Sequence, residues 1–529
     1  MKKQAFNPYL PSYEYVPDGE AHVFGDRVYL YGSHDRFDSA GFCLNDYVCY
    51  SAPVTDLSDW KYEGVIYKKT QDPRNQNIPQ NAPEQTLLFG IKPKKEEDLN
   101  PRGIHAMWAP DVVKGLDGKF YLYYCLDFTP QIGVAVCDTP AGKYEFLGLV
   151  KHEDGTPLGS APKDLVQFDP GVFIDDDIIY LFSGNAALEE GENSDKYASQ
   201  VMQLKPDMLT LKTEPKKLLP GVLSPNKDGF EGHEFFEASS IRKFGGKYYF
   251  VYSSVNSSEL CYAISDKPDE GYKYGGTLVD IGDIGLNGRT RDNAVNALGN
   301  THGCLELIND SLYVFYHRQT NRTNYSRQGC AEKIVMDENG KIAQTEVTSC
   351  GLNGKPLDGS GTYPAYICCH LTGKKGAAFS HPDVMKMDYP FLTQDLPDIS
   401  PDDPRTEKEK NSPVQYIRNI SDKTVIGYKY FSFEGDSRIK FRLRGKAEGT
   451  IFVQLSEKGS VCGEIPLKIQ SEEWNETEGE FYVEKGVYPI YFRFLGKGSF
   501  DFSEFVNSQS KFHSRKRVEF TEKNRQNLK

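Results

Sequence analysis

The 529-residue chain has no apolar run long enough to cross a bilayer as a helix, which takes about 20 consecutive apolar residues. Its first residues, Met1-Lys2-Lys3-Gln4-Ala5-Phe6-Asn7-Pro8, carry two lysines with no apolar stretch behind them. They do not read as an export signal, and the expected location is the cytoplasm. There is no CxxC pair, and the eleven cysteines are an odd number at irregular spacings, which argues against a disulfide framework. Cys43 with Cys49, or the adjacent Cys368 and Cys369, are where a redox pair or a metal would be sought; reduced, mostly buried thiols are the expectation. Positive charge is in deficit, with 62 Lys and Arg against 75 Asp and Glu. The net charge of −13 excludes nucleic acid and anionic membrane as main partners and leaves sugars, other neutral small molecules and proteins.

What is abundant points to strands. The 33 Tyr and 31 Phe, together with 48 Gly and 30 Pro, suit many short strands joined by turns better than helices. A strand–turn–strand unit recurs five times. It opens at Pro17-Asp18-Gly19-Glu20, turns at Gly25-Asp26 and returns through Val28-Tyr29-Leu30-Tyr31. The copies that follow start at Ala109-Pro110-Asp111, Phe168-Asp169-Pro170, Phe236-Glu237-Ala238 and Thr301-His302-Gly303. Asp18, Asp169, Glu237 and His302 each precede a Tyr of the returning strand by 11 residues, and Asp111 precedes Tyr121 by 10. Copies spaced 93, 58, 68 and 65 residues apart leave room for one four-stranded sheet each, with an insertion after the first. Five such sheets in succession predict a five-bladed β-propeller.

In a propeller the innermost strands line a central channel, so Asp18, Asp111, Asp169, Glu237 and His302 are expected to converge there. Glu237 is the most informative of them. It follows Phe235-Phe236 in a strand that otherwise looks buried, and a carboxylate there is either paired or holds its proton at unusually high pH. Crowded carboxylates drive one another's pKa values apart, which creates separate acid and base roles. Around the channel, the loop of residues 32–46 with His34 and Asp35, together with Phe236 and Trp108, are the expected sugar contacts. Trp108 is equally readable as core. The charged stretch Ile91–Arg102 reads as a surface insertion.

These motifs resemble glycoside hydrolase family 43, over roughly residues 5–370, in its β-xylosidase and α-L-arabinofuranosidase branch. Tyr316-His317-Arg318-Gln319-Thr320-Asn321 and Ser326-Arg327-Gln328-Gly329 belong to the likeness. The resemblance implies a five-bladed propeller and inverting hydrolysis of a glycosidic bond. By position, Asp18 resembles the general base, Glu237 the general acid, and Asp169 the carboxylate that tunes and orients Glu237. Arg327 resembles the arginine that contacts sugar hydroxyls near acid and base. His302 resembles the central histidine that helps hold calcium or an ordered water, with contact through water because calcium prefers oxygen; the other reading is a hydrogen-bonded core histidine. Many relatives have Pro after the base where this chain has Gly19. The implied activity is exo-acting release of xylose from plant xylo-oligosaccharides, or of α-L-arabinofuranose from arabinoxylan or arabinan fragments. A sugar-binding propeller without catalysis is the alternative of another class, and no organic cofactor is expected.

The propeller is expected over residues 1–345 and a return segment and linker over 346–413. A β-sandwich of jelly-roll type is expected over 414–509 and a charged tail over 510–529. The sandwich resembles family 6 carbohydrate-binding modules through Gly486-Val487-Tyr488-Pro489-Ile490-Tyr491-Phe492, with Trp474 as its candidate sugar platform. A module that only packs on the propeller is the other reading.

Overall fold

The computed structural model describes residues 4–39, 41–75, 105–378, 389–401 and 415–509. The insertion Ile91–Arg102, the later part of the linker and the tail from 510 lie outside the described residues.

The first blade is β1 (Glu20–Phe24), β2 (Arg27–Tyr31), β3 (Tyr47–Pro53) and β4 (Lys61–Tyr67). The second is β5 (Met107–Lys114), β6 (Phe120–Leu126), β7 (Ile132–Cys137) and β8 (Glu145–Leu149). The third is β9 (Gly171–Asp175), β10 (Ile178–Ser183), β11 (Gln200–Leu204) and β12 (Lys216–Lys217). The fourth is β13 (Phe235–Phe244), β14 (Lys247–Ser254), β15 (Glu259–Ser265) and β16 (Lys273–Asp280). The fifth has three strands, β17 (Leu305–Ile308), β18 (Ser311–Gln319) and β19 (Arg327–Ile334). Every blade is an antiparallel meander, as short strands joined by tight turns require. The second strands are mostly buried, and β6, Phe-Tyr-Leu-Tyr-Tyr-Cys-Leu, is buried along its whole length. Neighbouring blades cover both faces, so these strands read as continuous apolar runs rather than alternating ones.

Five apolar clusters fill the five gaps between successive blades, one of them joining the fifth blade to the first. The ring is therefore closed. The N-terminal stretch helps to close it, because Tyr9 N–H donates to the Gly329 carbonyl and the Asn7 amide exchanges two hydrogen bonds with the Ala331 backbone. Around the axis, β1, β5, β9, β13 and β17 touch in cyclic order.

The C-terminal unit draws on more of the chain than expected. Its nine strands form one hydrogen-bonded sheet: β20 (Leu357–Asp358), β21 (Gly361–Pro364), β22 (His370–Thr372), β23 (Phe391–Thr393), β24 (Tyr416–Ile420), β25 (Val425–Phe433), β26 (Ser437–Gln454), β27 (Val461–Phe481) and β28 (Gly486–Gln509). The first four come from residues read as return segment and linker. Long β28 pairs with β26 on one edge and shares the other among β25, β24 and β21. The sheet thereby wraps a core of Phe431, Phe441, Phe492, Phe502 and Phe505. All eleven cysteines are free, nine of them buried, as the expectation of reduced thiols required.

Candidate active site

Alternate residues of an extended strand face the same side, so each inner strand presents a ladder of side chains to the axis. Strand register fixes the layers. Glu20 pairs with Tyr31, Asp111 with Tyr123, Gly171 with Phe182 and Ser240 with Val251, and Phe315 N–H donates to the Cys304 carbonyl. Glu20, Asp111, Gly171, Ser240 and Cys304 are thus equivalent. Two residues earlier stand Asp18, Ala109, Asp169, Ala238 and His302, which form the layer at the channel mouth.

This corrects the expected alignment at two places. Asp111 lies one layer below Asp18, and Ala109 holds the equivalent position: Asp111 precedes Tyr121 by only 10 residues, whereas the second blade's longer hairpin puts the equivalent residue 12 before it. Glu237 stands one residue before its nominal position. It reaches the mouth through a pair of register shifts between Phe235 and Ser240. A bulge of this kind re-aims a side chain without ending the strand. In four blades the residue entering the inner strand is left-handed, with φ of 56° at Asp18, 39° at Ala109, 42° at Asp169 and 72° at Ala238. Non-glycine residues adopt this conformation at a cost of order 1–3 kcal/mol, a strain found most often at functional sites.

The carboxylates differ sharply in surroundings. Asp18 accepts a hydrogen bond from Arg327 Nη1 at 3.0 Å. Its own amide N–H donates to His317 Nδ1 at 3.2 Å, which makes that nitrogen an acceptor and puts the imidazole proton on Nε2. Burial alone would raise the pKa of Asp18, but the Arg327 charge outweighs it and holds it below the usual carboxylate range. Burial and the Arg327 charge push His317 down to about 3, so it is neutral. Glu237 is half-buried at the mouth. Burial and then the Asp18 charge, only partly offset by Arg327, push its carboxyl up to about 7. Asp169 is raised well above the carboxylate range by burial, then by Glu237 and Asp18. Its Oδ2 accepts the Ala238 N–H at 3.2 Å and lies 3.7 Å from His302 Nδ1. Asp169 thus holds the backbone of the bulge immediately beside Glu237. The site combines one carboxylate held low under an arginine with two neighbouring carboxyls, Asp169 and Glu237, that burial and mutual repulsion push upward.

Asp18, Asp169, Glu237, Arg327 and His302 are brought together as the sequence suggested. Asp35 is not a sugar contact. It is fully buried beneath Arg327, accepting from Nε and Nη2 at 2.9 Å each and from the Arg327 and Cys43 amides at 3.0 Å. His34 likewise turns inward, with Nδ1 on the Asp46 carbonyl at 2.8 Å and Nε2 3.5 Å from buried Glu14. Burial disfavours its charge, but the nearby Glu14 carboxylate prevails and raises its pKa, so the side chain belongs to the loop's own packing. Trp108 is half-buried in an edge-to-face cluster with Phe42 and Phe168, at 6.0 and 5.5 Å between ring centroids. Phe236 remains partly exposed, while Phe235 is buried against Phe250 and Tyr252. Trp474 lies on β27 of the C-terminal sheet, with Arg444 4.5 Å over its ring and Tyr416 against its edge. A cation already seated over the ring makes it a poor open platform for a sugar.

Two contributors went unassigned in the sequence. His317 sits between Tyr316 and Arg318 in a strand of apolar neighbours, where a fully buried histidine was the available signal. Phe42 lies 4.8 Å under the Arg327 guanidinium and edge-on to Tyr325, in a loop without periodicity to mark it.

Below the mouth the channel is plugged by charge. Arg242 donates to Glu20 at 2.9 Å and to Glu306 at 3.1 Å, while His22 meets Asp111 at 2.7 Å. This bears on calcium, which takes six to eight oxygens. Around His302 the nearest carboxylate oxygen is that of Asp169 at 3.7 Å, Asp18 is held by Arg327, and Arg242 supplies the cation one layer down. Around His302 the described residues form no oxygen cage for direct coordination; the donors that do cluster, Glu20, His22 and Asp111, lie one layer down beside Arg242.

Residues 88–342 match the family model described as Glycosyl hydrolases family 43. The chain is 45% identical over 511 residues to a xylosidase/arabinosidase of Thermoclostridium stercorarium, covering 96% of this chain and 99% of that protein. It is 30% identical over 356 residues to a β-xylosidase of Xylanibacter ruminicola, covering 62% and 96%. Among solved structures it is similar to a family 43 β-xylosidase/α-arabinofuranosidase from a compost microbial metagenome, in complex with xylotriose in a calcium-free form. That match has 23% identity, a TM-score of 0.48 and coverage of 65% of this chain and 98% of that one. With near-complete coverage at this identity, the chain belongs to glycosyl hydrolase family 43 and is a glycosidase.

Proposed function

We propose that this protein is an inverting exo-glycosidase that releases xylose from the non-reducing ends of xylo-oligosaccharides, with α-L-arabinofuranosides as alternative substrates. One observation carries the mechanism: at one channel mouth Asp18 is bound by Arg327 while Glu237, without such a partner, has its carboxyl pushed up to about 7. Asp18, kept ionised by Arg327, takes a proton from water as that water attacks the anomeric carbon. Glu237, still carrying its proton up to about pH 7, gives it to the departing glycosidic oxygen. Asp169 acts through the backbone it holds, fixing the bulge that aims Glu237. Inversion requires acid and base about 6.5–9.5 Å apart, with room for the water between. The pairing of xylosidase with arabinosidase in the name of the 45%-identical relative supports both sugars as substrates.

We assign no catalytic step to calcium. The form of the calcium reading that the donor set supports is an ion met by His302 through water, and activity before and after exhaustive dialysis against a chelator tests it. The substrate assignment is tested with chromogenic β-xylosides and α-L-arabinofuranosides, using Asp18→Asn and Glu237→Gln as controls. Release by the native enzyme and its loss in folded Asp18→Asn is the expected result, while folded Glu237→Gln loses release from xylobiose, whose leaving group needs the proton. Failure to release any sugar would favour a binding function instead.

A further inference from the structure

The residues that hold Arg327 against Asp18 are themselves held from outside the propeller. From β23 onward, residues 391–398 leave the C-terminal sheet and cross to the loops at the channel mouth. The sheet end is anchored twice. Phe391–Thr393 pair with β24, and Asp395 takes the Tyr416 hydroxyl at 2.6 Å, Arg444 at 2.7 Å and Arg418 at 3.2 Å. Neighbouring side chains point the other way. Gln394 Oε1 accepts the hydroxyl of Tyr15 at 2.7 Å, and Tyr15 stacks on Phe37 at 5.3 Å.

Asp398 then grips the loop of residues 32–46. Its Oδ1 accepts the Phe37 amide at 2.8 Å, and its Oδ2 accepts Asn45 Nδ2 at 3.0 Å. The same Asn45 Nδ2 donates to the Asp35 carbonyl at 3.1 Å, and the Asp35 carboxylate holds Arg327, which holds Asp18. The other flank is held as well. Asn321 N–H donates to the Leu392 carbonyl at 2.8 Å, its Oδ1 accepts Thr393 Oγ1 at 2.9 Å, and its Nδ2 reaches Asp38 at 2.7 Å. The Asp38 amide in turn donates to Ser326, immediately before Arg327, at 3.1 Å.

We propose that this strap makes the C-terminal unit part of the catalytic apparatus, with Asp398 as a positioning residue that sets the Arg327–Asp18 contact through Asn45 and Asp35. A carboxylate accepting two hydrogen bonds in a partly buried site holds a loop more firmly than neutral acceptors would. Loops are otherwise the mobile part of such a scaffold. Misplacing a reacting group by about 1 Å costs as much as 100-fold in rate, so a contact this far from the sugar has leverage on the chemistry.

The inference rests on Asp18 being the base. It is tested in the full-length chain with Asp398→Ala, Asn45→Ala and the double variant, each compared with the native enzyme in thermal unfolding and in the pH dependence of kcat/KM. The expected result is a loss in kcat/KM of about 10-fold or more and an acid limb moved to higher pH, as Asp18 loses the full effect of Arg327. The double variant moves no further than either single one, because both lie on one chain of contacts. An unchanged acid limb in folded single variants, or additive effects in the double, overturns the proposal. Asp18→Asn separates the two levels: activity retained there removes the base assignment, whereas its loss with unaltered Asp398 and Asn45 variants removes only the strap. If Asp398→Ala does not fold, Asp398→Asn retains an acceptor for the Phe37 amide while losing the charge, and carries the same pH test.

Discussion

A catalytic acid that keeps its proton to neutral pH burdens the fold once that proton leaves, and the burden at Glu237 is measurable. Its carboxyl is pushed from 4.5 to about 7 by burial and by the Asp18 charge. Because the folded-state value lies above the unfolded one, the folded state binds the proton more tightly. The associated stability is present in full below about pH 4.5 and is lost as pH rises through about 7. At roughly 1.4 kcal/mol per pH unit, the loss by pH 8 is about 3 kcal/mol. Glu237→Gln cannot ionise and escapes it. Relief of Asp169, which Glu237 helps to raise, adds in the same direction. The variant is therefore expected to be silent on xylobiose and, at pH 8, more stable than the native enzyme by about 3 kcal/mol, with the difference small at pH 5. Urea unfolding at pH 5, 6.5 and 8, followed by the fluorescence of the propeller residues Trp60 and Trp108, reads this directly. A stability difference that does not change with pH would refute the argument, because a packing effect of the amide has no reason to titrate.

Other outcomes follow from the same geometry. The basic limb of kcat/KM should fall off near pH 7, where Glu237 loses its proton. Asp169→Asn keeps an acceptor for the Ala238 amide, so its kcat/KM should stay above that of Asp169→Ala, which frees the bulge beside Glu237. Asp35→Ala strips two acceptors from the buried guanidinium of Arg327, and should cost about 3–5 kcal/mol in denaturant unfolding together with most of the activity. Glu237→Gln should recover turnover on aryl glycosides whose leaving group needs no proton, such as dinitrophenyl xyloside, relative to xylobiose. Equal loss on both substrates would place the acid elsewhere.

Much of the fold was legible because a propeller repeats its own signature. Each hairpin announced itself through a turn and an aromatic strand, and five of them had room for five sheets. Asp18, Asp169 and His302 fell into register by counting alone. Glu237 did so by coincidence, since a bulge displaces it by one position, and Asp111 did not, since its hairpin is a residue longer. Counting along the chain cannot register such insertions; only hydrogen-bonded pairing does. The roles of His34 and Asp35 were missed for a different reason. A polar loop near a pocket looks the same in sequence whether its side chains face the ligand or turn back to hold a neighbour. Asp35 turned back to Arg327, 292 positions away. The strands at Leu357–Asp358, Gly361–Pro364, His370–Thr372 and Phe391–Thr393 are only two to four residues long. Pieces that short carry no readable alternation, so they passed for turns and linker.

The most direct test of the mechanism is the configuration of the sugar at the moment of its release. Proton NMR of the first turnovers on xylobiose, before mutarotation, should show the α-anomer of xylose, as expected for water activated by Asp18 on the face opposite Glu237. Initial appearance of the β-anomer would contradict that arrangement, since it requires a carboxylate that attacks the sugar itself.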